Sequence, residues 1–131
     1  MAGKRHKVTI DSIVCKGTGG SDGDDEVFIL YQVDAGLPVR HPVRGNQKMN
    51  KSDNAKSGVV QTWKPALTLD FDHEVLVTLL DQDTLLEKSG SDFNGPDFLV
   101  NVEYRADSVP ASYEMTNNNG AHYVIGATKH G

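Results

Sequence analysis

The periodicity of an amphipathic helix is weak everywhere in this sequence. Short runs rich in β-branched and aromatic residues recur instead, bounded by Gly, Asn, Asp and Pro. Lys7–Val14 alternates, with Val8, Ile10 and Ile13 as inward candidates. Glu26–Val33 (EVFILYQV) and Glu74–Leu80 (EVLVTLL) read as buried strands. Leu37–Val43 carries Pro38 and Pro42 and fits an edge strand at best. Asn46–Ser57 is polar and reads as a long loop. Gly58–Trp63, Leu67–Phe71, Asp97–Tyr104, Ala111–Met115 and Ala121–Thr128 complete a set of about eight strands.

That many short strands predict an all-β fold, an antiparallel two-sheet β-sandwich, with a closed barrel as the other solution. The length of 131 residues fits a single domain over 1–131. Because the strands are consumed by the core, function is expected on the loops at one end.

A lone cysteine, Cys15, excludes an intramolecular disulfide and a multi-cysteine zinc site, and its apolar neighbourhood predicts a buried structural thiol. The net charge of -5 argues against nucleic acid as a partner. No apolar run approaches a membrane span and no signal peptide is visible, so the expectation is a chain that is not transmembrane and is cytoplasmic or exported without a leader.

The acids are clustered. Four of the 18 fall within Asp22–Glu26 and eight between Asp70 and Asp97. Gly17-Thr-Gly-Gly-Ser-Asp-Gly-Asp-Asp-Glu26 leads into one strand, and the strand Val75–Leu80 runs into Asp81-Gln-Asp83 and then Asp92-Phe-Asn-Gly95. Calcium takes about six to eight oxygen ligands from a flexible cage. Neither loop supplies enough alone, whereas two acidic loops brought to one end of a sandwich do. The first loop is not an EF-hand, because strand residues follow where its loop would continue and no helix flanks it.

The order of these elements resembles the C-two type domain, a calcium- and phospholipid-binding β-sandwich. Lys7–Val14 is similar to that family's opening strand, and Asp25-Glu-Val-Phe28 stands where its Asp-Pro-Tyr-Val does. Trp63, Leu67–Phe71, Val75–Leu80, Asp81-Gln-Asp83 and Asp92-Phe-Asn-Gly95 follow in the family's order. Glu26 replaces the usual proline, Asn94 replaces an apolar residue, and the loop from Asp83 to Asp92 is long for the family. The resemblance implies a Ca2+ site with Asp25, Asp81, Asp83 and Asp92 as ligands, and Asp22 and Asp24 as second choices. It also implies a calcium-binding module that docks a membrane surface or a protein partner.

Two features fit a docking surface. Leu85 and Leu86 lie in the second acidic loop, where apolar tips suit membrane or partner contact. Arg40, Arg44, Lys48, Lys51 and Lys56 are opposed by Asp53 alone, and each such charge near anionic phospholipid adds about 1 kcal/mol. His6, His41, His73, His122 and His130 do not share a metal-binding spacing, and Trp63 reads as core. No motif for nucleophilic, phosphate-binding or metallopeptidase chemistry occurs, so the expectation is a binding module and not an enzyme. Two further readings stand beside it: a calcium-assisted carbohydrate-binding module or lectin, and a metal-independent interaction or structural protein with merely solubilising acidic loops.

Overall fold

In a half-buried strand the apolar positions share one parity, yet those of the first strand fall at Val8 and Ile10 and then at Ile13 and Cys15. A β-bulge resolves the conflict. Its register passes from Ile10 to Ser12 across one extra residue, Asp11, and all four apolar side chains reach the core. A second bulge, between Leu79 and Leu80, lets consecutive Leu99 and Val100 both be fully buried on the facing strand.

The computed structural model describes residues 4–19, 23–82 and 97–130. They form β1 (His6–Gly17), β2 (Asp25–Val33), β3 (Val39–His41), β4 (Gln47–Met49), a 3-10 turn (Ala55–Ser57), β5 (Thr62–Trp63), β6 (Leu67–Phe71), β7 (Glu74–Asp81), β8 (Asp97–Arg105), β9 (Ser112–Thr116) and β10 (His122–His130). Two five-stranded antiparallel sheets result. In the first, β5 and β6 lie end to end beside β1, followed by β10 and β9. In the second, β3 and β4 lie end to end beside β2, followed by β7 and β8. The expected β-sandwich is the fold. Between the sheets pack Ile10, Ile13, Ile29, Phe71, Leu79, Tyr104, Tyr123 and Ile125, all fully buried. No described helix is long and apolar enough to cross a membrane.

The segment expected as a long loop over Asn46–Ser57 contains a strand and a 3-10 turn. One apolar residue, Met49, is fully buried and anchors β4 against β2 at Asp25. Gly58–Trp63 is strand only at its end, with Val59 and Val60 making isolated bridges to Asn54 and Met49. Trp63 is half-buried against the core and stacks on His41, with centroids 6.2 Å apart and planes 16° from parallel. That stack ties β3 to β5, so one lateral edge of the sandwich is closed across the two sheets.

One end of the sandwich is closed by Asp34, which sits at φ 51 in the turn after β2. Its carboxylate accepts from the backbone N–H groups of Asp72, His73 (2.7 Å) and Glu74, and from Lys4 Nζ at 2.9 Å. Burial alone would push this carboxyl up. The three N–H donors and Lys4 overcome it and hold the group well below the usual carboxylate range.

Candidate functional site

The opposite end gathers the acids. β1 and β9 finish there, β2, β8 and β10 begin there, and Asp81 closes β7 beside them. Strand parity decides where each carboxylate goes. Asp25, Val27 and Ile29 share the inward face of β2, so Asp25 is carried into the interior and is fully buried. Gly19 N–H donates to both of its oxygens at 3.0 and 3.1 Å, and Tyr123 Oη–H donates to Oδ2 at 2.5 Å. A Cβ at position 19 would meet Leu99 Cδ2 at 2.9 Å, so the Leu99 side chain would have to shift to admit one. Burial pushes the Asp25 carboxyl up, Tyr123 and Gly19 pull it back, and Asp24 and Asp97 push it further. Beneath it Cys15 is fully buried, its thiol raised by burial, in agreement with a structural role.

Asp81 ends β7 directly opposite Asp97. Like charges facing one another across a strand pair are destabilising. Asp81 Oδ1 accepts the Glu26 N–H at 2.7 Å. Burial raises its carboxyl to about 7 despite that bond, and Asp25, Asp97 and Glu26 add to the rise. Asp24 is exposed and accepts from Asn50 Nδ2 at 2.7 Å. The described ion pairs engage Asp34, Asp72, Asp70, Glu114 and Glu103, and none reaches Asp24, Asp25, Asp81 or Asp97.

Of the residues expected to bind metal, Asp24, Asp25 and Asp81 therefore come to one mouth, with Asp97 added. Asp22, Asp83 and Asp92 lie outside the described residues, as do Leu85 and Leu86. Among the described residues no three His, Cys, Asp or Glu side chains form a group able to hold a metal ion. The donor chemistry, all carboxylate oxygen, suits a hard cation such as calcium. The described donors by themselves fall short of a coordination shell. Tyr123 and Gly19, which hold Asp25, were not foreseen. Tyr123 does lie on the inward parity of β10, with Ala121, Ile125 and Ala127.

Beside the mouth runs the edge formed by residues 37–64. It holds six of the chain's 13 Lys and Arg (Arg40, Arg44, Lys48, Lys51, Lys56, Lys64) and one of its 18 acids, Asp53. Lys4, Arg5, Lys7, Lys16 and Arg105 each pair with a carboxylate, whereas among the described residues none of these six does. Arg40 is half-buried and tied down, with Nη1 donating to Pro42 O at 2.7 Å and its guanidinium 4.0 Å over the Phe28 ring. The other five are exposed. So are Leu37 (87%), Val39 (46%) and Val43 (81%), three of the four exposed large apolar side chains among the described residues. No protein-family model matches this chain, and no curated protein matches it.

Proposed function

We propose that this protein is a calcium-responsive β-sandwich binding module that docks on anionic membrane surfaces. Its cationic edge supplies the contact, and calcium at the adjacent acidic mouth supplies the switch. The observation that carries this reading is the amphiphilic edge over residues 37–64. Its exposed cations lack described carboxylate partners, and Val43, beside Arg44, is exposed with them. An acidic protein whose cations on one edge have no carboxylate partner among the described residues, while most of its other described cations do, has a surface fitted to an anionic partner. An exposed Val43 next to Arg44 favours an interface with lipid over a purely ionic ligand.

Magnitudes explain why a second signal is needed. Five exposed cations at about 1 kcal/mol each give about 5 kcal/mol, which is sub-millimolar at best. Calcium adds the rest by neutralising the mouth, which would otherwise repel the same anionic surface. Asp81, Asp25 and Asp24 are its proposed ligands within the described residues, with Asp22, Asp83 and Asp92 beyond them. The C-two resemblance implies the same division of labour.

The test is co-sedimentation with phosphatidylcholine vesicles in which about one lipid in four is phosphatidylserine. It is run in calcium, in magnesium and in a chelator, beside thermal melting in the same buffers. Binding and a rise in melting temperature are expected in calcium alone. Free inorganic phosphate should not displace the protein if lipid is the source of the anionic groups. Arg44→Glu/Lys48→Glu/Lys51→Glu should abolish pelleting without abolishing the calcium-dependent melting shift. Asp81→Asn/Asp83→Asn should abolish the shift itself. Absence of any calcium effect on either readout would sink the reading. A calcium-dependent melting shift without vesicle binding would move the docking partner to a protein or a glycan.

A further inference from the structure

The second sheet ends in β3 and β4 on one side and in β8 on the other. All four exposed large apolar side chains among the described residues belong to these two edges. Leu37, Val39 and Val43 lie on or beside β3, and Phe98, 40% exposed, lies on β8. Backbone register fixes the level of each. β3 stops at His41 opposite Ile29 and β4 starts at Gln47 opposite Val27, so the turn that holds Val43 and Arg44 leaves its edge level with Phe28. Phe28 pairs with Leu80, and Leu80 pairs with Phe98. Val43 with Arg44, and Phe98 with Asp97, therefore stand at one level on opposite edges of the same sheet. The turn is held in shape. Arg40 Nη1 donates to Pro42 O at 2.7 Å, and Gln82 Oε1 accepts from Arg40 Nη2 and Asn46 Nδ2, both at 3.1 Å. On the other edge Asn117 Nδ2 donates to Leu99 O at 2.9 Å and to Phe98 O at 3.3 Å, which caps the backbone there and leaves contact to the side chains.

We propose that copies of this chain join head to tail through these two edges, Val43 and Arg44 of one copy meeting Phe98 and Asp97 of the next. Charge complementarity selects the occupant. Arg44 and Lys48 are exposed and have no carboxylate partner among the described residues. Asp97 is exposed and has no cation partner among them, while the other exposed charges of β8, Glu103 and Arg105, bond to each other at 2.9 Å. Each edge thus sets an exposed apolar side chain next to a charge without a described partner, and the two charges are opposite in sign. Shifting a copy along the direction of its own inter-strand hydrogen bonds brings the two pairs together, because they share a level. Two identical edges would instead set cation against cation or acid against acid. The contact is heterologous, so every join leaves a free edge for a further copy. The preformed turn lowers the cost of ordering the contact. The inference stands apart from the docking proposed above and competes with it, since both draw on Val43 and Arg44.

The experiment is sedimentation equilibrium of the full chain, in chelator and without lipid, so that its outcome does not depend on the docking reading. A contact of a few side chains is weak, and it is sought between about 10 μM and about 1 mM protein. The average mass of the wild-type protein should rise with concentration and pass that of a dimer without levelling there. Arg44→Glu and Asp97→Lys each place like charges across the join, and each alone should weaken association at least about tenfold. An equimolar mixture of the two variants should associate within about threefold of wild type, because the reversed edge of one now fits the reversed edge of the other. That rescue is not expected of a variant that merely loosens the fold. Melting temperatures in chelator check that both variants are folded. If Asp97→Lys is not, Phe98→Ser tests the same edge and should weaken association at least about threefold. A wild-type protein that stays a single chain at about 1 mM overturns the inference and leaves the edges to lipid or to another protein. Levelling at a dimer overturns the head-to-tail join in favour of a two-fold contact. Wild-type association in Arg44→Glu, in Asp97→Lys or in Phe98→Ser, or a mixture that stays dissociated, overturns it as well.

Discussion

The two ends of the sandwich treat the same chemical group in opposite ways. At one end Asp34 meets three backbone N–H groups and Lys4, and its carboxyl is held well below the usual range. At the other end Asp81 meets a single N–H and faces Asp25, Asp97 and Glu26, and its carboxyl is pushed up to about 7. Burial raises both. What differs is the count of donors against the count of neighbouring anions. The first arrangement uses a charge to close a turn. The second spends stability at neutral pH to keep negative charge together, which a protein tolerates where a cation is to be received.

The sharpest way to break the comparison is to remove Asp34. Asp34→Ala leaves the Asp72, His73 and Glu74 N–H groups without their acceptor and should lower stability by about 3 kcal/mol, read by urea unfolding. Asp34→Asn keeps an amide oxygen and should lose less. Asp24→Asn, at the exposed rim of the mouth, should stay within about 0.5 kcal/mol in chelator. The acid limb follows from the lowered carboxyl. The Asp34 contribution is fully present above the unfolded aspartate value near ~3.9 and is lost as pH falls through the depressed folded value. Acid unfolding should therefore begin at a higher pH in wild type relative to its neutral stability than in Asp34→Asn. Equal profiles would show that Asp34 is not the group responsible.

Two buried tyrosines sharpen the same contrast with a smaller effect. Tyr123 and Tyr104 are both fully buried, but Tyr123 donates to Asp25, while Tyr104 Oη has no hydrogen-bond partner among the described residues. Tyr123→Phe strips a donor from a buried carboxylate and should cost about 1–3 kcal/mol. Tyr104→Phe removes a hydroxyl that gains nothing from burial, and should be neutral or stabilising by up to about 1 kcal/mol. Thermal melting of the two variants side by side decides this, and equal losses would mean that Asp25 draws its stability from Gly19 alone.

How much of this was legible in the chain depends on the distance over which each cause acts. The sandwich was legible because strand parity and turn residues are local, as in Glu26–Val33 and Glu74–Leu80. β4 was hidden because Gln-Lys-Met carries its burial on one residue, Met49, too little for any periodic pattern. Asp24, Asp25 and Asp81 were legible as clustered acids, yet the inward turn of Asp25 depended on β2 starting one residue before the expected Glu26. Tyr123, Gln82 and Asn50 were not legible at all. Their partners lie 98, 42 and 26 residues away, and pairing at that range is set by sheet order rather than by neighbouring sequence. The cations of residues 40–56 were visible as a run, but their want of carboxylate partners among the described residues emerged only when the described acids were seen to pair elsewhere or with none.

The smallest effect carries the sign that best separates the two ends. Asp81 has a folded carboxyl value of about 7, above its unfolded one, so the folded state binds the extra proton between those values. Its charge therefore erodes stability as pH rises from about 4 to about 7, and the loss is complete above that window. Asp81→Asn keeps an oxygen for the Glu26 N–H and removes the charge, so in chelator it should be more stable than wild type at pH 8, by about 1 kcal/mol after solvent screening. The advantage should vanish near pH 4. This is the reverse of Asp34→Asn, which destabilises at neutral pH and converges on wild type only in acid. Adding calcium at pH 8 should then invert the order at the mouth, because the charge that costs stability alone is the charge proposed to bind the cation. If Asp81→Asn is less stable than wild type in chelator at pH 8, the repulsion between Asp81 and Asp97 is already relieved within the folded chain, and the mouth has no surplus charge to offer a metal.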